Sequence, residues 1–250
     1  MSQELSKHIV SSFDRDLEGI QAHIMKMGGL VETAIRDAAK SLETRDEELA
    51  EDVRRRDASV DELERVINDE AARVIALRAP AASDLRVALS VLRMSNNLER
   101  IGDLAKNMAK RTGVLVQLQP IDGAAASLRR MAREVELMLK DALDCYIQRD
   151  AELARDVIER DRDVDQMYNT AFREFLTFML EDPRNITACM HLHFIAKNVE
   201  RMGDHVTGIA EQVIFLTEGS IPADKRPKAD ATSTDARFSP EVGEVSGTED

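Results

Sequence analysis

The chain contains no tryptophan, two cysteines, six prolines and eleven glycines in 250 residues, and only 4% of it is aromatic. So few glycines and prolines argue against a fold of many short strands and tight turns. Cys145 and Cys189 lie far apart without CxxC spacing, which excludes a disulfide framework or a zinc ribbon and suits a reducing compartment. No run of about 18 apolar residues exists, so no membrane-spanning helix is expected. The start, MSQELSKHIVSSFDRDLEGI, lacks the apolar centre of a signal peptide, and a cytoplasmic location is expected. Basic residues are also short: formal net charge is −13, of which the last 32 residues contribute −3. A surface this acidic repels nucleic-acid phosphates and suits basic partner surfaces or cations.

Catalytic motifs are absent as well. The sequence has no Walker motif, GxSxG, HExxH or GxGxxG, and no Glu-x-x-His of the kind a ferritin-like di-iron bundle requires. Nothing pairs a nucleophile with a base, so the expectation is a protein that is not an enzyme.

What is present is Ala, Leu, Glu, Arg and Met, the composition of a helical protein. Amphipathic patterns fill residues 12–218, broken near Thr44 to Asp46, Arg78 to Ser83, Thr112 to Gly123, Arg149-Asp150 and Glu181 to Arg184. These breaks predict an all-α fold of six long helices, each roughly 30 residues and about 45 Å long at 1.5 Å per residue. Short links make neighbours antiparallel. Pro80, Pro120 and Pro183 fall in the breaks, and Asp46 and Asp150 are expected N-caps. Residues 219–250 lack apolar periodicity and read as a disordered acidic tail.

The sequence also repeats itself. At an offset of 104, residues 37–61 match residues 141–165 at 13 of 25 positions, among them Asp37, Arg45, Asp46, Arg56, Asp57, Val60 and Asp61. Further on the offset becomes 101, pairing Asn97, Glu99, Arg100, Gly102 and Asp103 with Asn198, Glu200, Arg201, Gly203 and Asp204. The repeat predicts two tandem, pseudo-symmetric three-helix bundles, at 12–113 and 120–218.

The repeat preserves four acidic pairs at i, i+4: Asp57/Asp61, Glu99/Asp103, Asp161/Asp165 and Glu200/Asp204. Each pair shares one helix face, where like charges destabilise by a few tenths of a kcal/mol, about 0.2–0.5. Glu99 and Asp103 continue a face begun by Leu85 and Leu92. Glu200 and Asp204 line up with Met190 and His193, and Asp57 and Asp61 border the stripe of Leu49, Val53, Val60 and Ile67. An anionic cluster at a packed interface is expensive unless cations neutralise it. Antiparallel second and third helices would bring two pairs together as hard oxygen ligands for Mg²⁺, Ca²⁺, Mn²⁺ or iron. Salt bridges from Arg56, Arg100, Arg160 and Arg201 are the protein-only alternative.

Gly102 and Gly203 sit beside these acids, although glycine inside a helix costs about 1 kcal/mol relative to alanine. Their recurrence predicts close approach to another helix or to bound ions. His193, on the face of Glu200, is a candidate nitrogen ligand, but its repeat counterpart is Leu92, so it reads rather as a core or rim histidine, and His191 and His205 take no role. The mid-helix stretch Met27 to Gly29 reads as a close packing contact or a kink.

The stretches MGGLVE (27–32), RAPAASDLR (78–86), NNLERIGD (96–103), EDPRNI (181–186) and HFIAKNVERMGDHVTGIAEQV (193–213) resemble the PhoU family, in order, over residues 12–218. The family signature is an acid followed by xxxD, and all eight positions keep an acid here. The resemblance implies multinuclear metal sites (Mg, Mn, Zn or Fe) on Asp57, Asp61, Glu99 and Asp103, and on Asp161, Asp165, Glu200 and Asp204. It further implies a negative regulator of phosphate uptake and phosphate-starvation signalling. Such a regulator is a cytoplasmic, commonly dimeric adaptor that contacts the ATPase subunit of the phosphate ABC transporter and the phosphate-sensing membrane histidine kinase. It binds no nucleic acid and reaches the membrane only through these partners. The other readings are a helical scaffold whose carboxylates merely form salt bridges, and, further off, a metal-dependent hydrolase.

Overall fold

The computed structural model describes residues 2–78 and 82–220. Six helices follow one another: α1 (Ser2–Thr44), α2 (Glu47–Arg78), α3 (Ala82–Leu115), α4 (Ala124–Gln148), α5 (Ala151–Glu181) and α6 (Ile186–Glu218), with one 3₁₀ turn at Pro183–Asn185. Among the described residues there is no strand. The chain is thus all-α and made of two three-helix bundles, α1–α3 and α4–α6. Pro80 and the expected disordered tail beyond Ser220 lie outside the described residues.

Two helices differ from expectation. α1 begins at Ser2 rather than near residue 12, because nothing between those positions (no Pro, no Gly) stops a helix. α3 runs on to Leu115, past Thr112, because Leu115 is buried and anchors the last turn.

The repeated Arg-Asp dipeptide builds the same corner twice. Arg45 and Arg149 close α1 and α4 in the left-handed region, at φ 54° and 56°. Asp46 N–H then donates to Ser41 O at 2.9 Å and Asp150 N–H to Cys145 O at 3.0 Å, the bond pattern of a Schellman cap. The same aspartates start the next helices: Asp46 Oδ1 accepts from Leu49 N–H, and Asp150 Oδ1 from Glu152 and Leu153 N–H. One residue pair therefore ends one helix and begins another.

A second repeated pair clamps the helices joined at that corner. Arg56 on α2 donates to Asp37 on α1 at 2.7 Å, and its counterpart Arg160 on α5 donates to Asp141 on α4 at 2.5 Å. Arg56 and Arg160 were candidate neutralisers of the carboxylate clusters. They face the other way, toward the first helix of each bundle, and so do not fill that role.

The two halves meet along α1·α4 and α3·α6. Gly28 packs on Leu143, Arg36 on Glu136 and Glu43 on Arg129, so α1 and α4 run antiparallel. Across α3·α6, Arg93 meets Gln212, Asn97 meets His205 and Arg111 meets His191, again antiparallel. The register puts the repeat-equivalent residues Ile101 and Met202, both fully buried, beside a pseudo-two-fold axis. One apolar core, from Ile20 to Ile214, runs through both bundles. Burying side chains such as these is worth about 1.5–3 kcal/mol each. Gly28 allows the seam to close: a Cβ there would stand 2.4 Å from Leu143 Cδ1. The expected packing role of the Met27–Gly29 stretch is observed.

Candidate functional site

The acidic residues stand where α2 crosses α3 and where α5 crosses α6, near the middle of the molecule. Glycine allows both crossings. A Cβ on Gly102 would lie 3.3 Å from Val60 Cγ1 and 3.5 Å from Asp57 Oδ1. A Cβ on Gly203 would lie 2.6 Å from Asp161 Oδ1, closer than real Cβ atoms come. Of the two readings of these glycines, close approach to another helix is the one the geometry bears out.

In the first half, Asp57 is buried and Asp61 on the same helix is exposed. Lys106 Nζ donates to Asp57 Oδ2 at 2.5 Å and to Asp103 Oδ1 at 3.3 Å, joining α2 to α3 through one ammonium. Burial raises the Asp57 carboxyl above its ordinary range, and the Lys106 bond and charge oppose that rise. Glu99 is pushed up to about 7, first by burial and then by the neighbouring Asp103 and Glu64, with the Arg100 charge pulling the other way. Arg100 Nε stands 3.3 Å from Glu99 Oε2, and that oxygen is buried without a hydrogen bond.

The second half is more deeply enclosed. Asp161, Asp165 and Glu200 are 2%, 1% and 2% exposed, and Asp204 is half-buried. Lys197 Nζ lies 2.9 Å from Glu200 Oε1, one turn away on α6, and 4.9 Å from the centre of the Tyr168 ring on α5. His193 packs among Tyr168, Phe172 and Phe194 with ring centroids 5.3–6.0 Å apart. Burial, then the Lys197 charge, lowers its pKa, as fits a rim histidine.

Among the described residues no three His, Cys, Asp or Glu side chains are gathered to hold a metal ion. The donor chemistry nevertheless suits a hard cation: carboxylates from two helices meet at each crossing, buried Asp57 with half-buried Glu99 and Asp103 in the first and buried Asp161, Asp165 and Glu200 in the second, and Glu99 Oε2 is buried without a hydrogen bond. Sequence reasoning missed both lysines, having weighed only arginines. The signal was present, since Lys106 follows Asp103 by three residues and Lys197 precedes Glu200 by three, both on the helix face of the acids.

The tandem plan agrees with known proteins. The family model described as "PhoU domain" matches the chain twice, at residues 24–112 and 128–213. The phosphate-specific transport system accessory protein PhoU homolog of Rhizobium meliloti is 44% identical over 227 residues, covering 91% of this chain and 96% of that protein. The homolog of the same name from Caulobacter vibrioides is 43% identical, covering 92% of this chain and 100% of that protein. The crystal structure of PhoU from Pseudomonas aeruginosa superposes with a TM-score of 0.81 at 39% identity, over 83% of this chain and 100% of that one. The phosphate transport system regulatory protein PhoU from Streptococcus pneumoniae gives 0.77 at 27% identity, over 85% of this chain and 100% of that one. The two matches fall one on each three-helix half, and the relatives are covered almost end to end: this chain belongs to the PhoU family.

Proposed function

We propose that the chain is a non-catalytic, cytoplasmic negative regulator of phosphate uptake and phosphate-starvation signalling. It acts as an adaptor between the ATPase subunit of the phosphate ABC transporter and the phosphate-sensing histidine kinase, and it works as a homodimer. The observation that carries this reading is the double match to the family, with relatives named as accessory and regulatory proteins of phosphate transport. No described helix is long and apolar enough to cross a membrane, which suits an adaptor that reaches the membrane through partners.

The eight acids are assigned to cation binding in two groups: Asp57, Asp61, Glu99 and Asp103, and Asp161, Asp165, Glu200 and Asp204. A bound Mg, Mn, Zn or Fe ion would supply the positive charge that lets buried carboxylates stay ionised. Asp57, Glu99 and Asp103 are the inner donors of the first group, and exposed Asp61 is the outer one. The salt-bridged scaffold is the second reading, favoured by the Lys106 bridge.

One purification tests these readings together. Protein prepared without chelator from phosphate-replete cells should carry metal by elemental analysis and co-purify with the ATPase or the kinase. Light scattering should give twice the chain mass. Recovery of neither partner overturns the adaptor, and a metal-free chain that Mn²⁺ does not stabilise leaves the scaffold.

A further inference from the structure

We propose that Lys106 is the built-in counter-cation of the first carboxylate group, and that a divalent ion enters that group only by displacing its ammonium. This rests on the reading of the acids as cation ligands. One ammonium already does there what a metal would do, neutralising Asp57 of α2 and Asp103 of α3 at 2.5 and 3.3 Å. The Lys106 side chain is 40% exposed whereas that of Asp57 is 5% exposed, so the lysine reaches inward from solvent. Its flexible four-carbon stem can swing back to water, leaving the carboxylates in place. The exchange conserves the device: a single charge on a tether gives way to a free double charge.

The second half offers an internal contrast. The repeat equivalent of Lys106 is Thr207, whose hydroxyl donates to the Asp204 carbonyl at 2.7 Å and brings no charge. Lys197 approaches the second group from the opposite end of its helix and pairs with Glu200 three residues on. Cation entry in the first half therefore trades one inter-helix tie, the Lys106 bridge between Asp57 and Asp103, for another.

The test uses Mn²⁺ as probe in the full chain, with the second group silenced by Asp161→Asn and Asp165→Asn. Free Mn²⁺ is followed by electron paramagnetic resonance. Lys106→Met should tighten first-half binding about ten- to hundredfold, the worth of a charge-assisted hydrogen bond that no longer has to be broken. Lys106→Arg, which keeps the charge, should bind as the parent does. Binding by Lys106→Met that is equal to or weaker than the parent's overturns the proposal and leaves the cation reading standing. Absence of Mn²⁺ binding in the wild-type chain and every variant overturns both. A second measurement needs no variant. Saturating Mn²⁺ should raise the rate at which an amine-reactive ester labels Lys106 severalfold by mass spectrometry, and an unchanged rate counts as refutation.

Discussion

The two carboxylate groups are written with the same acids at the same repeat positions, yet the fold treats them differently. Asp61 is exposed and its counterpart Asp165 is 1% exposed; a Cβ at Gly102 would be crowded at 3.3 Å from Val60, whereas one at Gly203 would collide with Asp161 at 2.6 Å. A lysine from solvent bridges the two helices of the first group, and the second group lies deeper, with Lys197 on Glu200. Equal ligands in unequal surroundings make unequal sites, since desolvation rather than residue type sets what a buried carboxylate tolerates.

The sharpest way to expose that difference is to add one methyl group. Gly203→Ala should destabilise the chain by about 2–3 kcal/mol, because the new Cβ collides with Asp161 in a tight crossing. Gly102→Ala should cost less than about 1 kcal/mol, its milder crowding offset by alanine's better helix propensity. Urea denaturation compares the two, and equal losses would erase the distinction between the crossings.

Next come the paired clamps. Arg160 is more enclosed than Arg56 and holds Glu134 as well as Asp141. Arg160→Ala should cost roughly 1–2 kcal/mol and Arg56→Ala roughly half that, solvent screening discounting the more exposed pair. The same denaturation curves read this out, and the reverse order would break the comparison.

A pH profile separates the halves more gently. Glu99 titrates near 7 in the folded chain against 4.5 ordinarily, so between about pH 4.5 and 7 the folded state holds a proton that the unfolded state has released. Stability contributed by Glu99 is therefore present in mild acid and lost as pH rises through 7. In chelator-treated protein, Glu99→Gln should flatten that decline by about 1 kcal/mol. A profile unchanged by the substitution would place the titration elsewhere.

The smallest effect on stability belongs to the surface. Ile186, Met190 and Phe194 are 40–46% exposed at four-residue spacing on α6, and Arg111 of α3 lies 4.3 Å over the Phe194 ring. At the equivalent place in the first half, Arg93 instead meets Gln212. Phe194→Glu should change stability by less than about 0.5 kcal/mol. It should nevertheless abolish co-purification of the transporter ATPase, while Leu89→Glu, the counterpart of Met190, should not. Loss of capture with both or with neither would remove the asymmetry.

Helix number, the corner dipeptides and the tandem plan were readable because each rests on local chemistry: apolar period, Asp caps and an echo of thirteen residues. The acids and their glycines were readable because repetition marked them. What escaped was direction. Arg56 and Asp57 are neighbours in sequence, but 100° of helix turns one to α1 and the other to α3. Burial of Asp165 against exposure of Asp61 depends on packing from other helices, which no repeat of the acids encodes.

A pseudo-two-fold axis makes the seam between the halves the intramolecular form of an isologous interface, the kind two identical half-chains would build. The side chains, however, do not repeat across it. Where Gly28 receives Leu143, the mirrored position offers Ala132 to Ala39 and opens a cleft of about 170 Å³ edged by Arg36, Arg129, Arg133 and Glu136. Knob and socket on one flank have become a gap with a charged rim on the other. The two flanks of the seam are therefore not interchangeable, and the packing holds the halves in a single orientation.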